Sequence, residues 1–174
     1  MAKMFLMCGN CGSGKTTYAK QFAKINYLYY LSIDDTYREV NKNNKHENKE
    51  LVWQIFFNKI QQAQQNQYDI IIDTNAPTES DRTEFITEFP KFESHLIWVD
   101  TDLQLCLQNN KNRERIIIEN YLLQTFKLFE YPTLEEYYKQ KEWISFSIVI
   151  NDNNKFLPRI TLCGIFPNDI KDLN

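Results

Sequence analysis

The residues of the sequence that most clearly indicate chemistry form one glycine-rich segment near the amino terminus. Its residues are Gly9, Asn10, Cys11, Gly12, Ser13, Gly14, Lys15, Thr16 and Thr17, which contain the pattern Gly-x-x-x-x-Gly-Lys-Thr. Glycines at these positions let backbone N–H groups converge on phosphate oxygens, and the lysine reaches the terminal phosphates. The hydroxyl of Thr16 can bind Mg²⁺. The pattern therefore predicts a loop that binds ATP together with Mg²⁺.

Three acidic residues stand at the ends of two apolar segments. Asp34 and Asp35 follow the segment 27–33, and Asp73 closes the segment 68–73. Short apolar segments of this kind predict buried strands, and open parallel sheets bind ligands at the carboxyl ends of their strands. The three carboxylates are therefore candidates for one cleft beside the phosphate-binding loop.

Each acidic residue has a different expected role. Asp34 is the candidate general base, which accepts the proton of an attacking hydroxyl. Asp35 either lies beside it on the acceptor side or caps the helix that follows. Asp73 is expected to hold a water on Mg²⁺, to pair with Arg38, or to form a backbone-bonded turn. The metal would then be bound by the loop threonine and, through water, by Asp34 or Asp73.

Arginines supply the candidate positive charges. Arg38 lies one helical turn beyond Asp34, so it either binds an acceptor phosphate on the same cleft face or is an ordinary exposed arginine. Arg113 and Arg115 lie in a charged break between two predicted helices. We expect a lid at about residues 108–118, in which Arg113 neutralises charge on the transferring phosphoryl group. The alternative is a solvated charged run.

Strands and helices must alternate along the chain to bring these residues together. Apolar segments predict strands at 3–8, 27–33, 68–73, 95–99 and 146–150. Helical spacing of apolar residues predicts helices at 15–24, 51–60, 79–89, 103–107, 116–129 and 134–143. The polar stretch 41–49 predicts a solvated loop or a loose helix end, and 156–165 predicts an edge hairpin. This alternation predicts an α/β fold with a mainly parallel central sheet.

Length and composition limit the class of protein. The chain has 174 residues, of which 43% are hydrophobic, so we expect one domain spanning 1–174. No apolar run approaches the ~20 residues that cross a bilayer, and the first residues do not form a signal peptide. We therefore expect no membrane partner and an intracellular, cytoplasmic protein. The net charge of −3 argues against extensive wrapping of a nucleic-acid backbone.

Cysteines and histidines indicate no further chemistry. Four cysteines in a chain of this size do not predict a disulfide framework. Cys8 and Cys11 have the spacing of a redox pair, but both lie at the phosphate-binding loop, which a disulfide would distort. The only histidines, His46 and His95, are too few for a multi-histidine metal centre.

Three segments together resemble the kinase domain of bacteriophage polynucleotide kinase and its relatives among small P-loop kinases, which include the zeta-toxin type. These segments are 9–22, the run Asp34-Asp35-Thr36-Tyr37-Arg38, and Asp73-Thr74-Asn75 followed by Arg82. The resemblance extends to about Phe129. It implies a doubly wound parallel sheet flanked by helices, with a helical lid. It also allows a phage or viral origin.

The resemblance implies ATP-dependent phosphorylation of the 5′-hydroxyl end of RNA or DNA. Asp34 would be the base, and the acceptor end would be held by Asp35, Arg38, Asp73 and Asn75. Lys15 and Arg113 would stabilise charge on the transferring group. Asn109 stands where the phage lid has a further arginine, and the phosphatase motif Asp-x-Asp-Gly-Thr does not occur in the sequence.

Two other functions stay open beside the polynucleotide kinase. One is a kinase of a small molecule, such as a nucleoside, a sugar or a nucleotide-sugar. The acidic net charge and the small number of arginines favour this function nearly as much as the polynucleotide kinase. The other is a regulatory protein that binds nucleotides and turns them over weakly. That function requires Asp34 to point away from the phosphate cleft.

Overall fold

The structure is a computed structural model that describes residues 1–41, 48–113, 116–139, 143–153 and 155–163. The first half of the chain contains β1 (Lys3–Cys8), α1 (Lys15–Asn26), β2 (Tyr29–Ser32), α2 (Ile33–Val40), α3 (Lys49–Gln65) and β3 (Ile70–Asp73). The second half contains α4 (Glu79–Glu88), β4 (Glu93–Asp100), α5 (Leu103–Lys111), α6 (Glu119–Leu128), α7 (Leu134–Lys139), β5 (Trp143–Asp152) and β6 (Lys155–Cys163).

The strands form a six-stranded sheet in the order β2-β3-β1-β4-β5-β6. The pairs among the first five strands are parallel, and only β6 runs antiparallel, as the second strand of a hairpin with β5. Chain order reverses on the two sides of β1, which makes the carboxyl end of β1 a topological switch point where such sheets bind ligands. The predicted fold class, a doubly wound and mainly parallel sheet, is confirmed.

Helices cover both faces of the sheet because the central strands are apolar on both sides. Met4 and Leu6 of β1 face one hydrophobic cluster, whose other members include Phe56 of α3 and Phe85 of α4. Met7 faces the opposite cluster, which contains the buried alanines of α1. Alternate residues of one strand thus anchor two helical layers. The single-domain organisation expected for the chain stays a prediction.

Two of the differences from the predicted boundaries have a clear physical cause. The second strand ends at Ser32, and α2 begins at Ile33, because the Ser32 hydroxyl accepts a hydrogen bond from the backbone N–H of Asp35 and caps the helix. The structure describes helix α7 as far as Lys139, and residues 140–142 of the predicted helix lie outside the described residues. Trp143 instead begins β5 and is almost fully buried. Burial of this indole outweighs the helical spacing of the residues before it.

Parts of three predictions fall outside the described residues. The polar stretch 41–49 ends in α3, which begins at Lys49, but residues 42–47 lie outside the description. The predicted edge hairpin is confirmed by β6, although residues 164 and 165 lie outside it. Arg115 of the expected lid is also outside it. Within the part of the chain that the structure covers, no helix has the length and apolar character needed to cross a membrane.

Candidate active site

The glycine-rich loop connects β1 to α1, at the switch point of the sheet. Two of its glycines are required by both conformation and space. Gly12 and Gly14 have φ values of 83° and 91°, which side chains disfavour. A Cβ at Gly12 would lie 2.6 Å from the backbone oxygen of Cys106, and one at Gly14 would lie 2.7 Å from Asn151 Nδ2. The predicted loop therefore has a backbone that only glycine can supply at these points.

The side chain of Lys15 extends back toward the loop residues that precede it. Its Nζ donates hydrogen bonds to the backbone oxygens of Gly9, at 2.8 Å, and Asn10, at 2.7 Å. The residue is only 6% exposed, so these carbonyls stabilise a charge that has been removed from water. An ammonium has three N–H donors, and a phosphate oxygen can replace a carbonyl as the acceptor. Thr16 and Thr17 are exposed in the first turn of α1.

Unpartnered polar atoms in the loop indicate that it is built for a ligand. The hydroxyl of Ser13 is buried, and among the described residues it has no hydrogen-bond partner. An unsatisfied buried donor is costly, and a phosphate oxygen would satisfy it. The amino terminus of α1 adds partial positive charge at the same place. The residues present therefore fit a bound phosphate group, and the exposed hydroxyl of Thr16 fits Mg²⁺ beside it.

Side chains from distant parts of the chain hold the outer side of the loop. Thr101 Oγ1 and Asn151 Nδ2 each donate to the backbone oxygen of Ser13 at 2.8 Å. Asn109 Nδ2 donates to the backbone oxygen of Gly12 at 2.9 Å. These three residues were not predicted from the sequence as site residues, because no local pattern connects them to the loop. Only Asn109 drew attention there, as a departure from the phage lid.

Asp73 lies at the predicted strand end but has a different partner from the expected one. It is buried, it is paired in register with Ser32 of β2, and its Oδ2 accepts a hydrogen bond from the Tyr30 hydroxyl at 2.7 Å. Burial and the nearby carboxylate strongly raise the pKa of Tyr30, so its phenol stays protonated. The expected pairing of Asp73 with Arg38 is wrong.

Arg38 instead pairs with Asp35, one turn earlier on α2. Arg38 Nη1 lies 2.8 Å from Asp35 Oδ1, and both side chains are partly exposed. Helical spacing of three residues explains this preference, because it makes the two side chains neighbours. Asp35 is not the helix cap, since Ser32 has that position. Asp34 is exposed in the first turn of α2, whereas the sequence placed it at a strand end.

Tyr37, between Asp34 and Arg38 on α2, has a raised pKa. Burial is the main cause, and the negative charge of Asp34 raises the pKa further, with an additional contribution from Tyr121 of α6. The Tyr37 phenol therefore stays protonated at neutral pH. Asp34, exposed in the first turn of the same helix, remains the candidate carboxylate of the acceptor side.

Asn75 and Arg82, which the sequence also singled out, have partners inside the protein. Asn75 contacts the loop: its backbone oxygen accepts from the Gly9 N–H at 3.2 Å, and its Nδ2 lies 3.4 Å from Cys11 Sγ. Arg82 is fully buried and donates two hydrogen bonds of 2.7 Å to the Glu136 carboxylate. Burial alone would lower the pKa of Arg82, but the bonds to Glu136 raise it. Arg82 therefore holds α4 to α7 inside the protein.

The expected lid is described only in part. Arg113 is exposed on a bend that follows α5, and its described hydrogen bond, from its backbone N–H to the Asn110 oxygen at 3.3 Å, stays within that bend. The buried Asn110 fixes the start and end of this segment, because its amide accepts from the Ile117 N–H at 2.9 Å and donates to the Ile117 oxygen at 2.7 Å. The role of Arg113 stays a prediction.

The cysteines near the loop are buried free thiols. Burial raises the pKa of both Cys8 and Cys106 to about 12, so neither is a thiolate at neutral pH. Cys11 is also free and is 8% exposed. Among the residues with described positions, no group of three or more His, Cys, Asp or Glu side chains could hold a metal ion.

Comparison with known proteins gives both a family and a fold. The family model described as "AAA domain" matches residues 4–124. None of the curated proteins matches the sequence. A sugar kinase from Janibacter sp. HTCC2649 superposes with a TM-score of 0.65 at 16% identity, over 86% of this chain and 86% of that one.

Two further solved structures show the same likeness. A gluconokinase from Sinorhizobium meliloti 1021 has a TM-score of 0.60 at 11% identity, over 85% of this chain and 82% of its own. A shikimate kinase from Bacteroides thetaiotaomicron has a TM-score of 0.53 at 15% identity, over 72% and 78%. At these identities the likeness shows the fold, which is that of small P-loop kinases. Because the family model spans more than half of its residues, the chain belongs to the AAA domain family.

Proposed function

We propose that the protein is an ATP-dependent kinase that transfers the γ-phosphoryl group to a hydroxyl of a small molecule, such as a sugar or a nucleoside. One observation carries this proposal. The glycine-rich loop has a buried lysine, Lys15, and a buried Ser13 hydroxyl that has no partner among the described residues, and both fit a bound phosphate. An exposed carboxylate, Asp34, follows β2 on the same edge of the sheet. Phosphoryl transfer requires this combination of anion binding and an acceptor-side base.

The donor side would be formed by the loop and the start of α1. Lys15 exchanges its bonds with the Gly9 and Asn10 carbonyls for bonds to phosphate oxygens, and the Ser13 hydroxyl donates a further bond. Thr16 holds Mg²⁺, which neutralises phosphate charge when bound. Arg113, on its exposed bend, is the proposed residue that closes over the transferring group.

The acceptor side would lie beside the first turn of α2, where Asp34 is exposed. Asp34 would accept the proton of the attacking hydroxyl on its carboxylate as the new O–P bond forms, while the bond from the γ-phosphorus to the bridging oxygen breaks and ADP leaves. Asp35 pairs with Arg38 at 2.8 Å, and the two side chains would act together on the acceptor side. Asp73, whose carboxylate accepts a hydrogen bond from Tyr30, would orient water on the metal.

Charge on the acceptor side favours a small acceptor over a polynucleotide. The region contains the carboxylates of Asp34, Asp35 and Asp73, whereas Arg38 is already paired and Arg82 is buried against Glu136. Apart from the Arg82–Glu136 pair, these residues contribute three carboxylates and one guanidinium, and this net negative charge is unfavourable for a nucleic-acid backbone. The similar solved structures are those of a sugar kinase, a gluconokinase and a shikimate kinase, which supports this choice.

A 5′-hydroxyl polynucleotide end is the second candidate acceptor. It rests on the order of Asp34, Arg38 and Asp73 along the chain, which is similar to that in the phage kinase. The experiment that separates the candidates incubates the protein with ATP labelled at the γ-phosphate and a panel of sugars, nucleosides, 5′-hydroxyl RNA and 5′-hydroxyl DNA. Lys15→Met in the same panel controls for contaminating kinases. Label on a metabolite supports the proposal. Label on oligonucleotides alone would replace it, and binding without transfer would indicate a regulatory protein.

A further inference from the structure

Side chains from three separate parts of the chain donate hydrogen bonds to backbone oxygens of the loop that would hold phosphate. Thr101 follows β4, Asn109 lies in the last turn of α5, and Asn151 lies near the end of β5. Thr101 is 7% exposed and Asn151 is 3% exposed, so both donors act away from bulk water. They share a single acceptor, the backbone oxygen of Ser13. Two buried donors on one carbonyl fix that peptide group more firmly than either alone.

The direction of a carbonyl determines the direction of the next N–H. In a planar trans peptide the C=O and the following N–H point to opposite sides. Bonds to the Ser13 oxygen therefore turn the Gly14 N–H to the inside of the loop. Asn109 does the same for the Ser13 N–H by holding the Gly12 oxygen. The Ser13 N–H does point inward, since it donates across the loop to the Asn10 oxygen at 3.2 Å.

We propose that Thr101, Asn109 and Asn151 are positioning residues that set the affinity of the loop for the triphosphate. They keep the carbonyls of Gly12 and Ser13 turned away from the phosphate position and the N–H groups turned toward it. A peptide released from these bonds would be able to present its oxygen, with partial negative charge, to an anionic ligand. This inference rests on the proposed function, because it requires that the loop binds a nucleotide.

Asn109 also connects the loop to the segment expected to act as a lid. Its neighbour Asn110 bonds both backbone groups of Ile117, so adjacent residues of α5 hold the loop on one side and the end of the lid segment on the other. This helix end therefore bonds both the Gly12 carbonyl and Ile117.

Matched variants test the proposal through nucleotide affinity. Thr101→Val removes the hydroxyl with little change of shape, whereas Thr101→Ser keeps it. Asn151→Ala removes the second donor, and Asn153→Ala changes an exposed asparagine of the same hairpin whose amide bonds the adjacent Asp152. Asn109→Asp replaces a donor by an acceptor, and Gln104→Glu makes the equivalent change on an exposed part of α5. The dissociation constant of ATP with Mg²⁺ is measured by calorimetry, together with the KM for the acceptor and the melting temperature.

The loss of one neutral hydrogen bond predicts a roughly three- to tenfold weaker affinity for ATP in Thr101→Val and in Asn151→Ala. The double variant should weaken binding by more than the product of the two, because it leaves the shared oxygen without a donor. Thr101→Ser, Asn153→Ala and Gln104→Glu should bind ATP as the parent does. The KM for the acceptor should not change in any of them.

Two results would overturn the inference. One is a double variant that melts at lower temperature but binds ATP as tightly as the parent, which would make these residues merely structural. The other is equal weakening in Thr101→Ser and Thr101→Val, which would exclude the hydroxyl as the cause. Failure of the parent protein itself to bind ATP would overturn the proposed function as well, so the two failures are distinguishable.

Discussion

The carboxylates of Asp34 and Asp35 are adjacent in sequence but have different surroundings. Asp35 pairs with Arg38, and its backbone N–H bonds the helix cap. Asp34 is exposed in the first turn of α2 and forms no ion pair with any described residue. A general base must be able to reach the substrate hydroxyl, so Asp34 is the better candidate of the two. This difference could not be predicted from the sequence, in which the two residues have the same type.

Replacing Asp34 by Asn should separate binding from transfer. Asp34→Asn cannot accept the hydroxyl proton, so the rate of phosphoryl transfer should fall by at least ~100-fold, while the affinity for ATP stays that of the parent. Steady-state kinetics and calorimetry measure the two effects. Glu39→Gln, near the end of the same helix, is the matched control. Turnover close to that of the parent would remove Asp34 from the mechanism.

The thiol of Cys8 should be inert in the folded protein. Its side chain is fully buried and its pKa is raised to about 12, so the reactive thiolate is scarce at pH 8. We expect iodoacetamide to leave the peptide that contains Cys8 unmodified in native protein and to modify it in urea, as read by mass spectrometry. Rapid modification of native protein, or a disulfide between Cys8 and Cys11, would restore the redox interpretation of this pair.

For the secondary-structure elements, the sequence pattern predicted which segments are helices or strands better than it predicted where each begins and ends. The glycine loop between a strand and a helix, the strand that closes on Asp73 and the hairpin at β6 all lie where the sequence indicated. The predicted boundary between β2 and α2 was wrong. The apolar segment 27–33 predicts one continuous strand, but Ser32 within it caps the helix. Contacts such as Asn151 with Ser13 join residues far apart in the chain and leave no local pattern.

The ion pair of Arg82 with Glu136 should be a major link between α4 and α7. Both side chains are nearly fully buried, and two hydrogen bonds of 2.7 Å join them. Arg82→Leu leaves a buried carboxylate without its partner, which should lower the free energy of unfolding by about 3–5 kcal/mol. Urea denaturation measures this quantity.

The double variant is the control for that experiment. Arg82→Leu with Glu136→Leu removes both buried charges, so it should recover much of the stability lost in Arg82→Leu. A double variant that is less stable than Arg82→Leu alone would show that breaking the pair is not what lowers the free energy of unfolding.

For the whole molecule, one half-buried histidine should make the free energy of unfolding depend on pH. His95 lies on β4, its Nδ1 is 2.8 Å from Ser145 Oγ, and its ring stacks on Phe5 with centroids 4.7 Å apart. Burial and then the charge of Lys3 lower its pKa, and Glu93 and Asp69 offset this only in part. The folded protein therefore binds the proton less readily than the unfolded chain does.

The sign of the effect follows from that difference. Stability from the neutral imidazole is fully present above the unfolded pKa, about 6.5, and is lost as pH falls through the lowered folded pKa. The free energy of unfolding of the parent should therefore decrease between pH 7 and pH 5. His95→Gln should show a smaller decrease over the same range. Equal pH profiles for parent and variant in urea denaturation would contradict this assignment.

The architecture of the whole sheet was predictable because alternating apolar segments and helices permit few topologies. The acceptor was not, because the residues proposed to bind it lie on α2 and β3, and their relative placement depends on packing. Arg82 shows the difficulty: its position after the Asp-Thr-Asn turn is similar to that in a nucleic-acid kinase, yet its guanidinium is directed to Glu136 inside the protein.

Binding of ATP with and without Mg²⁺ tests the central claim most directly, which is that the loop between β1 and α1 holds a triphosphate. Calorimetric titration should show saturable binding to the parent protein that is strengthened by Mg²⁺. Lys15→Met should abolish it, because the buried ammonium that turns toward the phosphates is lost. Absence of nucleotide binding by the parent, or equal affinity in Lys15→Met, would contradict the account.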